Sequence, residues 1–82
     1  MHYTYILRSK KDKTKTYIGH TNNINKKLAQ HNNNESAYTS KYSPWELEVY
    51  VVLKDKKMAV KLEKYLKTGS GKAFINKQLV TS

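Results

Sequence analysis

The chain predicts an α+β fold, a small three-stranded antiparallel sheet flanked by helices in the order β-β-α-β-α-α. Three observations predict it. Two runs rich in aromatic and β-branched residues, Tyr3–Arg8 and Thr14–Thr21, are separated by the polar turn Lys10–Lys13 and read as a hairpin. A third such run spans Trp45–Leu53. The segments between and after these runs carry apolar residues at helical spacing, behind asparagine or aspartate caps. Three strands cannot cover both of their own faces, so the helices are expected to pack on the sheet.

Each element has its own warrant. Gly19 inside the second strand marks a bulge or a close approach of backbone. Asn22 or Asn23 can cap a helix running to about Asn32, with Ile24 and Leu28 as its apolar pair. At ~100° per residue His31 falls between Ile24 and Lys27, so Lys27 and His31 flank the buried stripe. Asn32–Ser36 reads as a loop, continued by Tyr38–Pro44 with aromatic and basic residues interleaved. In the third strand Leu47, Val49 and Val51 are expected on one face. Asp55 caps a helix from Lys56 to about Thr68, with Ala59, Leu62 and Leu66 as its inner stripe and Gly69 as its stop. Ser70 and Gly71 restart the chain as a short last helix to about Lys77, burying Phe74 and Leu79. Thr68–Lys72 lacks the spacing of a phosphate-binding loop and reads as a turn between helices.

Composition bounds the function. Eighty-two residues make one domain, 1–82. Sixteen Lys and Arg face six Asp and Glu, a net charge of +10, which favours a polyanionic partner. Nucleic acid is favoured over a membrane surface, because the apolar helical stripes are narrow and a core consumes them. No apolar run approaches the roughly 20 residues of a membrane span. The chain has no cysteine, which excludes a disulfide framework and a thiolate zinc site. With no secretory apolar segment either, an intracellular, cytoplasmic setting is expected. Arg8 is the sole arginine, so a lysine at any one position can reflect chain-wide usage.

Glu63 is the sharpest single signal, since it sits between Ala59 and Leu66 on the helical wheel. A buried carboxylate needs a partner. Two readings stand side by side: an ion pair with Lys67 one turn on, and a metal-ligand role. One carboxylate with water and phosphate oxygens suits Mg²⁺. Tyr5 and Tyr17 lie on neighbouring strands, where aromatic packing is the simpler reading. A phenol, with a pKa of about 10, is a poor base unless positive charge lies beside it. Lys27, His20 and His31 could supply that charge. The three histidines, His2, His20 and His31, lack zinc-site spacing. Lys13, Lys15, Lys26 and Lys41, with Lys10 and Lys11, could make phosphate contacts that position without specifying. Trp45 reads as a core anchor, whereas Tyr38 and Tyr42 are placed to contact an unstacked base.

These residues together resemble the GIY-YIG nuclease superfamily, in particular small single-domain members similar to the N-terminal nuclease domain of the DNA-repair excinuclease. The first motif stands as Tyr3-Thr4-Tyr5, without its glycine. The second is intact as Tyr17-Ile18-Gly19, followed by His20-Thr21-Asn22-Asn23. Lys26–Asn32, Tyr38-Thr39, Pro44-Trp45, Ala59–Lys67 and Gly69–Phe74 follow in the family's order. The resemblance covers nearly the whole chain.

It implies an endonuclease hydrolysing DNA phosphodiesters with one Mg²⁺ or Mn²⁺ ion, acting in repair or on branched or nicked DNA. Tyr5 or Tyr17 would orient or deprotonate the attacking water, and His20 and His31 would help polarise it. Glu63 would hold the ion on the leaving 3′-oxygen. Lys27 occupies the position where the family carries a phosphate-clamping arginine, which implies weakened cleavage, because lysine is a point charge and not a planar fork. Asn76 matches an asparagine that family members often use. DNA is the implied partner ahead of RNA. The alternative is a nucleic-acid-binding module that keeps the fold with little or no catalysis.

Overall fold

The structure, a computed structural model, describes residues 1–33 and 37–79. Strands β1 (His2–Ser9), β2 (Thr16–Thr21) and β3 (Trp45–Leu53) form one antiparallel sheet in the order β2-β1-β3. Helices α1 (Ile24–Asn32), α2 (Ala37–Lys41), α3 (Lys56–Leu66) and α4 (Gly69–Phe74) surround it, and α4 runs into a π-helical turn, Ile75–Leu79. The predicted α+β class and element order hold, with α2 as an addition. The centre of the predicted Asn32–Ser36 loop and the predicted burial of the Leu79 side chain lie outside the described residues.

Side-chain caps set where the helices begin. Asn23 accepts from the Lys26 N–H to open α1, and Asp55 accepts from the Met58 N–H to open α3. The hairpin turn is fixed by Ser9 and Asp12. Ser9 Oγ accepts from the N–H groups of Lys11 and Asp12, and Asp12 accepts from both the N–H and hydroxyl of Thr14.

The two sheet faces carry separate cores. Ile6, Ile18, Leu66 and Ile75, with Val49 and Leu62, fill the face under α3 and α4. Tyr5, Leu7 and Trp45, with Tyr17, Leu28, Tyr42 and Leu47, fill the face under α1. The expectation that Leu47, Val49 and Val51 share a face is therefore wrong. Ile6 pairs with Val49 but Leu7 pairs with Leu47, so Glu48 is an extra residue in β3. One inserted residue reverses the side-chain alternation beyond it. The bulge turns Trp45 and Leu47 toward α1, and Trp45 is indeed a core anchor, donating its ring N–H to the Thr39 carbonyl at 2.7 Å.

Three further local expectations need correction. Part of the expected loop is helical, because Tyr38–Lys41 belong to α2. Gly69 does not stop α3. Thr68 closes that helix and caps the next, donating to the Tyr65 carbonyl and accepting from the Gly71 N–H. Phe74 is 41% exposed, whereas Ile75 is 7% exposed. The cause is Gly71, where a Cβ would stand 2.0 Å from the Tyr65 carbonyl oxygen and 2.6 Å from Leu66 Cα. That contact presses Gly71 onto the end of α3 and limits how α4 can turn there.

Candidate active site

β2 is an edge strand, and its residues border two of the clefts that hold candidate residues. Gly19 pairs with Tyr5 across the hairpin. A Cβ at Gly19 would lie 2.6 Å from the Tyr5 hydroxyl oxygen, so the phenol rests directly over the glycine backbone. The close approach expected of a strand glycine is thus present.

Tyr5 and His31 are both buried, and the Tyr5 hydroxyl lies 3.1 Å from His31 Nε2. Burial and the charge of Lys27 hold the His31 pKa below its ordinary value, so the ring is neutral near pH 7 and shares a hydrogen bond with the Tyr5 hydroxyl whose direction is set by the tautomer. Burial, then Tyr17, then the Glu63 carboxylate raise the Tyr5 pKa well above the ordinary phenol value. Tyr5 is therefore held in its protonated form. The idea that His31 would supply positive charge to a phenol fails at this pair, because desolvation opposes charge on both rings.

The His31 shift has a stability consequence. A base whose folded pKa lies below its unfolded value of about 6.5 stabilises the fold above that pH, and the contribution is lost as pH falls through the folded pKa. Thermal unfolding is expected to show lower stability at about pH 5 than at about pH 7.5, with the difference reduced in His31→Gln. An equal pH dependence in wild type and variant would contradict this.

Tyr17 is only partly buried. Its ring stacks on Tyr5 at 6.4 Å and meets His31 at 4.6 Å and Tyr38 at 6.2 Å. Tyr17 lines an open cleft of about 380 Å³ with Thr16, Ile18, Tyr38, Lys67 and Lys72. Thr16 and Ile18 face away from Tyr17 along β2, so this cleft wraps the strand's free edge and joins the two sheet faces.

Glu63 rises from α3, on the face opposite Tyr5 and Tyr17. Its charge is the smallest of the three causes that raise the Tyr5 pKa, and its partner Lys67 lines the Tyr17 cleft. Glu63 Oε2 accepts from Lys67 Nζ at 2.6 Å, and Oε1 lies 3.8 Å from His20 Nε2. The expected ion pair is thus present. His20 Nδ1 in turn lies 2.9 Å from His2 Nε2. Among the described residues, no group of three or more His, Cys, Asp or Glu could cage a metal ion. The donor set fits only an ion that keeps most of its water and takes one carboxylate, as Mg²⁺ does.

Lys27 is half-buried on α1 and lines a separate small cleft with Thr21, Asn22, Asn23, Lys26 and Gln30. This cleft lies at the far end of β2 from Lys67 and Lys72. Lys26 is exposed beside it. Lys15 and Lys41 converge over the Tyr42 ring, at 5.6 and 5.5 Å from its centroid. Tyr38 is exposed, stacks on Trp45 at 6.3 Å and donates its hydroxyl to the Thr16 carbonyl. Lys13 sits on the exposed hairpin turn, where its carbonyl accepts from Arg8. Arg8 also donates to Glu48, so the only arginine is engaged in holding β1, β3 and the turn. Asn76 lines a neighbouring cavity with Thr16, Ile18 and Lys72.

Three contributors were missed in the sequence. Lys72 lines the Tyr17 cleft, and its one signal, the faint likeness of Thr68–Lys72 to a phosphate-binding loop, comes without that loop's spacing. The His2–His20 contact was legible, because the hairpin register puts residues 2 and 20 on one face, diagonally adjacent. Asn32 exchanges two hydrogen bonds with the Trp45 backbone, tying α1 to β3. Its place at the helix end gave no sign of this.

The model of the GIY-YIG catalytic domain matches residues 1–78 of the chain. A UPF0213 protein from Clostridium perfringens is 37% identical over 68 residues, covering 82% of this chain and 71% of that protein.

Proposed function

The chain belongs to the GIY-YIG family, a nuclease-type fold, and on that premise we propose that it is a metal-dependent endonuclease hydrolysing DNA phosphodiester bonds. The observation that carries this reading is the junction at the edge of β2, where a cleft lined by Tyr17 and Lys67 adjoins the mostly buried Glu63 carboxylate.

Tyr17 orients the attacking water and, in its phenolate form beside the cations Lys67 and Lys72 of the same cleft, receives the water's proton. Tyr5 hydrogen-bonds His31, which burial and Lys27 keep neutral, and His31 supports the Tyr17 ring. His20, with its far nitrogen engaged by His2, keeps its other nitrogen beside Glu63. Glu63 is the residue that would hold Mg²⁺ or Mn²⁺, and the bound ion supplies charge neutralisation at the leaving 3′-oxygen. Lys27 would grip the scissile phosphate as a point charge, which requires the DNA to run along β2 between the Tyr17 cleft and the separate cleft that Lys27 lines. Lys13, Lys15, Lys26 and Lys41 seat the DNA backbone, and Tyr38 meets a base. The small fold offers little surface for sequence readout, which favours structural features such as nicks or branches, as met in repair. An intracellular setting fits this substrate.

A panel of linear, nicked, flap and junction DNAs with Mg²⁺ or Mn²⁺ tests the reading. Metal-dependent cleavage of at least one supports it. Salt-dependent binding with no cleavage of any favours the silent binding module. In the same assay Lys27→Arg is expected to raise the cleavage rate severalfold, since a planar fork can hold two phosphate oxygens. An unchanged or lower rate in a folded variant would contradict the clamp role.

A further inference from the structure

The two ends of the Glu63–Lys67 pair differ in their surroundings. The Glu63 side chain is 18% exposed and the Lys67 side chain 53% exposed, so the carboxylate is the fixed end and the ammonium the free one. Lys67 belongs to the Tyr17 cleft, together with Lys72. Its ammonium therefore lies both on the carboxylate and beside the space a phosphate would enter. The other carboxylate oxygen has its nearest ion-pairing neighbour among the described residues in His20, at 3.8 Å. Lys67 thus supplies the main compensation for the mostly buried charge.

Resting on the nuclease reading above, we infer that Lys67 is a transferable counter-ion: it occupies Glu63 in the free protein and moves to a phosphate of bound DNA, leaving the carboxylate to a divalent ion. An ammonium on Oε2 and a divalent cation on the same carboxylate repel each other, so the two compete for it. Lysine suits the exchange because its charge rides on a flexible stem. Lys72 in the same cleft favours the paired state while no anion is present, and an entering phosphate reverses that preference. Metal and DNA then strengthen each other's binding, and the strengthening is mutual. The arrangement leaves the free protein a poor metal binder and reserves a loaded site for the complex with substrate.

Mn²⁺ binding to the DNA-free protein, followed by the electron paramagnetic resonance signal of unbound Mn²⁺, tests this without reference to cleavage. Lys67→Gln is expected to bind Mn²⁺ about fivefold more tightly than wild type, the size of a partly exposed ion pair. Lys67→Arg, which keeps the pair, is expected to stay at the wild-type affinity. Lys64→Gln removes the same charge from an exposed position on the same helix and is expected to change affinity much less. Equal tightening in Lys64→Gln and Lys67→Gln would reduce the effect to general charge and overturn the inference. So would unchanged or weaker binding in Lys67→Gln when Glu63→Gln abolishes binding. Wild-type Mn²⁺ affinity in Glu63→Gln, or no binding to either wild type or Lys67→Gln, would instead remove Glu63 as the metal ligand, and the nuclease reading of the site with it.

Discussion

Glu63→Gln is expected to lower metal-dependent DNA cleavage by about 100-fold or more, the scale of losing a charge that acts on the transition state. The substitution keeps the side chain's shape and one hydrogen-bond acceptor toward Lys67. The lost partly exposed pair is worth only about 0.2–1 kcal/mol of stability, so the fold should survive. Cleavage and unfolding therefore separate: the melting temperature moves little while the rate collapses. A variant that cleaves as fast as wild type would show either that Glu63 serves α3 alone or that the activity belongs to a contaminant. The pair with Lys67 makes this a real contest, because it already compensates the carboxylate without a metal ion.

Tyr17→Phe is the second large effect, with an expected loss of about 10²–10⁴-fold in rate, the range of a positioned proton acceptor. Tyr17 lines the open cleft, whereas Tyr5 is buried, bonded to His31 and driven toward its protonated form. The two phenols should therefore respond differently to the same change. Tyr17→Phe keeps the ring contacts with Tyr5, His31 and Tyr38 and should leave stability nearly intact. Tyr5→Phe leaves His31 Nε2 buried without its hydrogen-bond partner, at a cost of about 1–3 kcal/mol of stability, with a smaller effect on rate per folded molecule. If Tyr5→Phe abolishes cleavage while Tyr17→Phe is nearly silent, the assignment of roles is reversed.

Much of this was legible in the sequence, for identifiable reasons. Asn23 and Asp55 announce their helices because a short side-chain oxygen ahead of an apolar stripe satisfies the first free N–H groups. Trp45–Leu53 was bounded to the residue, yet its facing was misread at Glu48. A bulge is a single inserted residue, and a period of two has no way to register it. Phe74 and Ile75 exchanged places because the rotation of α4 is set by Gly71 against the backbone of Tyr65 and Leu66, a tertiary contact.

In the site, the pairing of Lys27 with His31 followed from helical geometry, and Gly19 beneath a close neighbour followed from its place in a strand. The direction of the electrostatics did not follow. Whether a histidine beside a tyrosine charges it or shares a neutral bond depends on burial, and burial of Tyr5 and His31 arises only once α1 lies on the sheet. The side of the sheet that Glu63 occupies was out of reach, since it depends on α3 packing against the face opposite Tyr5 and Tyr17.

The central claim is that the rim of β2 is a hydrolytic site using a divalent ion. Its most direct measurement is the chemistry of the cut ends after purified wild-type protein acts on an end-labelled nicked duplex, with Mn²⁺ and with chelator. The account predicts products bearing 3′-hydroxyl and 5′-phosphate ends, formed with the ion and absent with chelator. Intact DNA in both, or cleavage that persists with chelator, would contradict it.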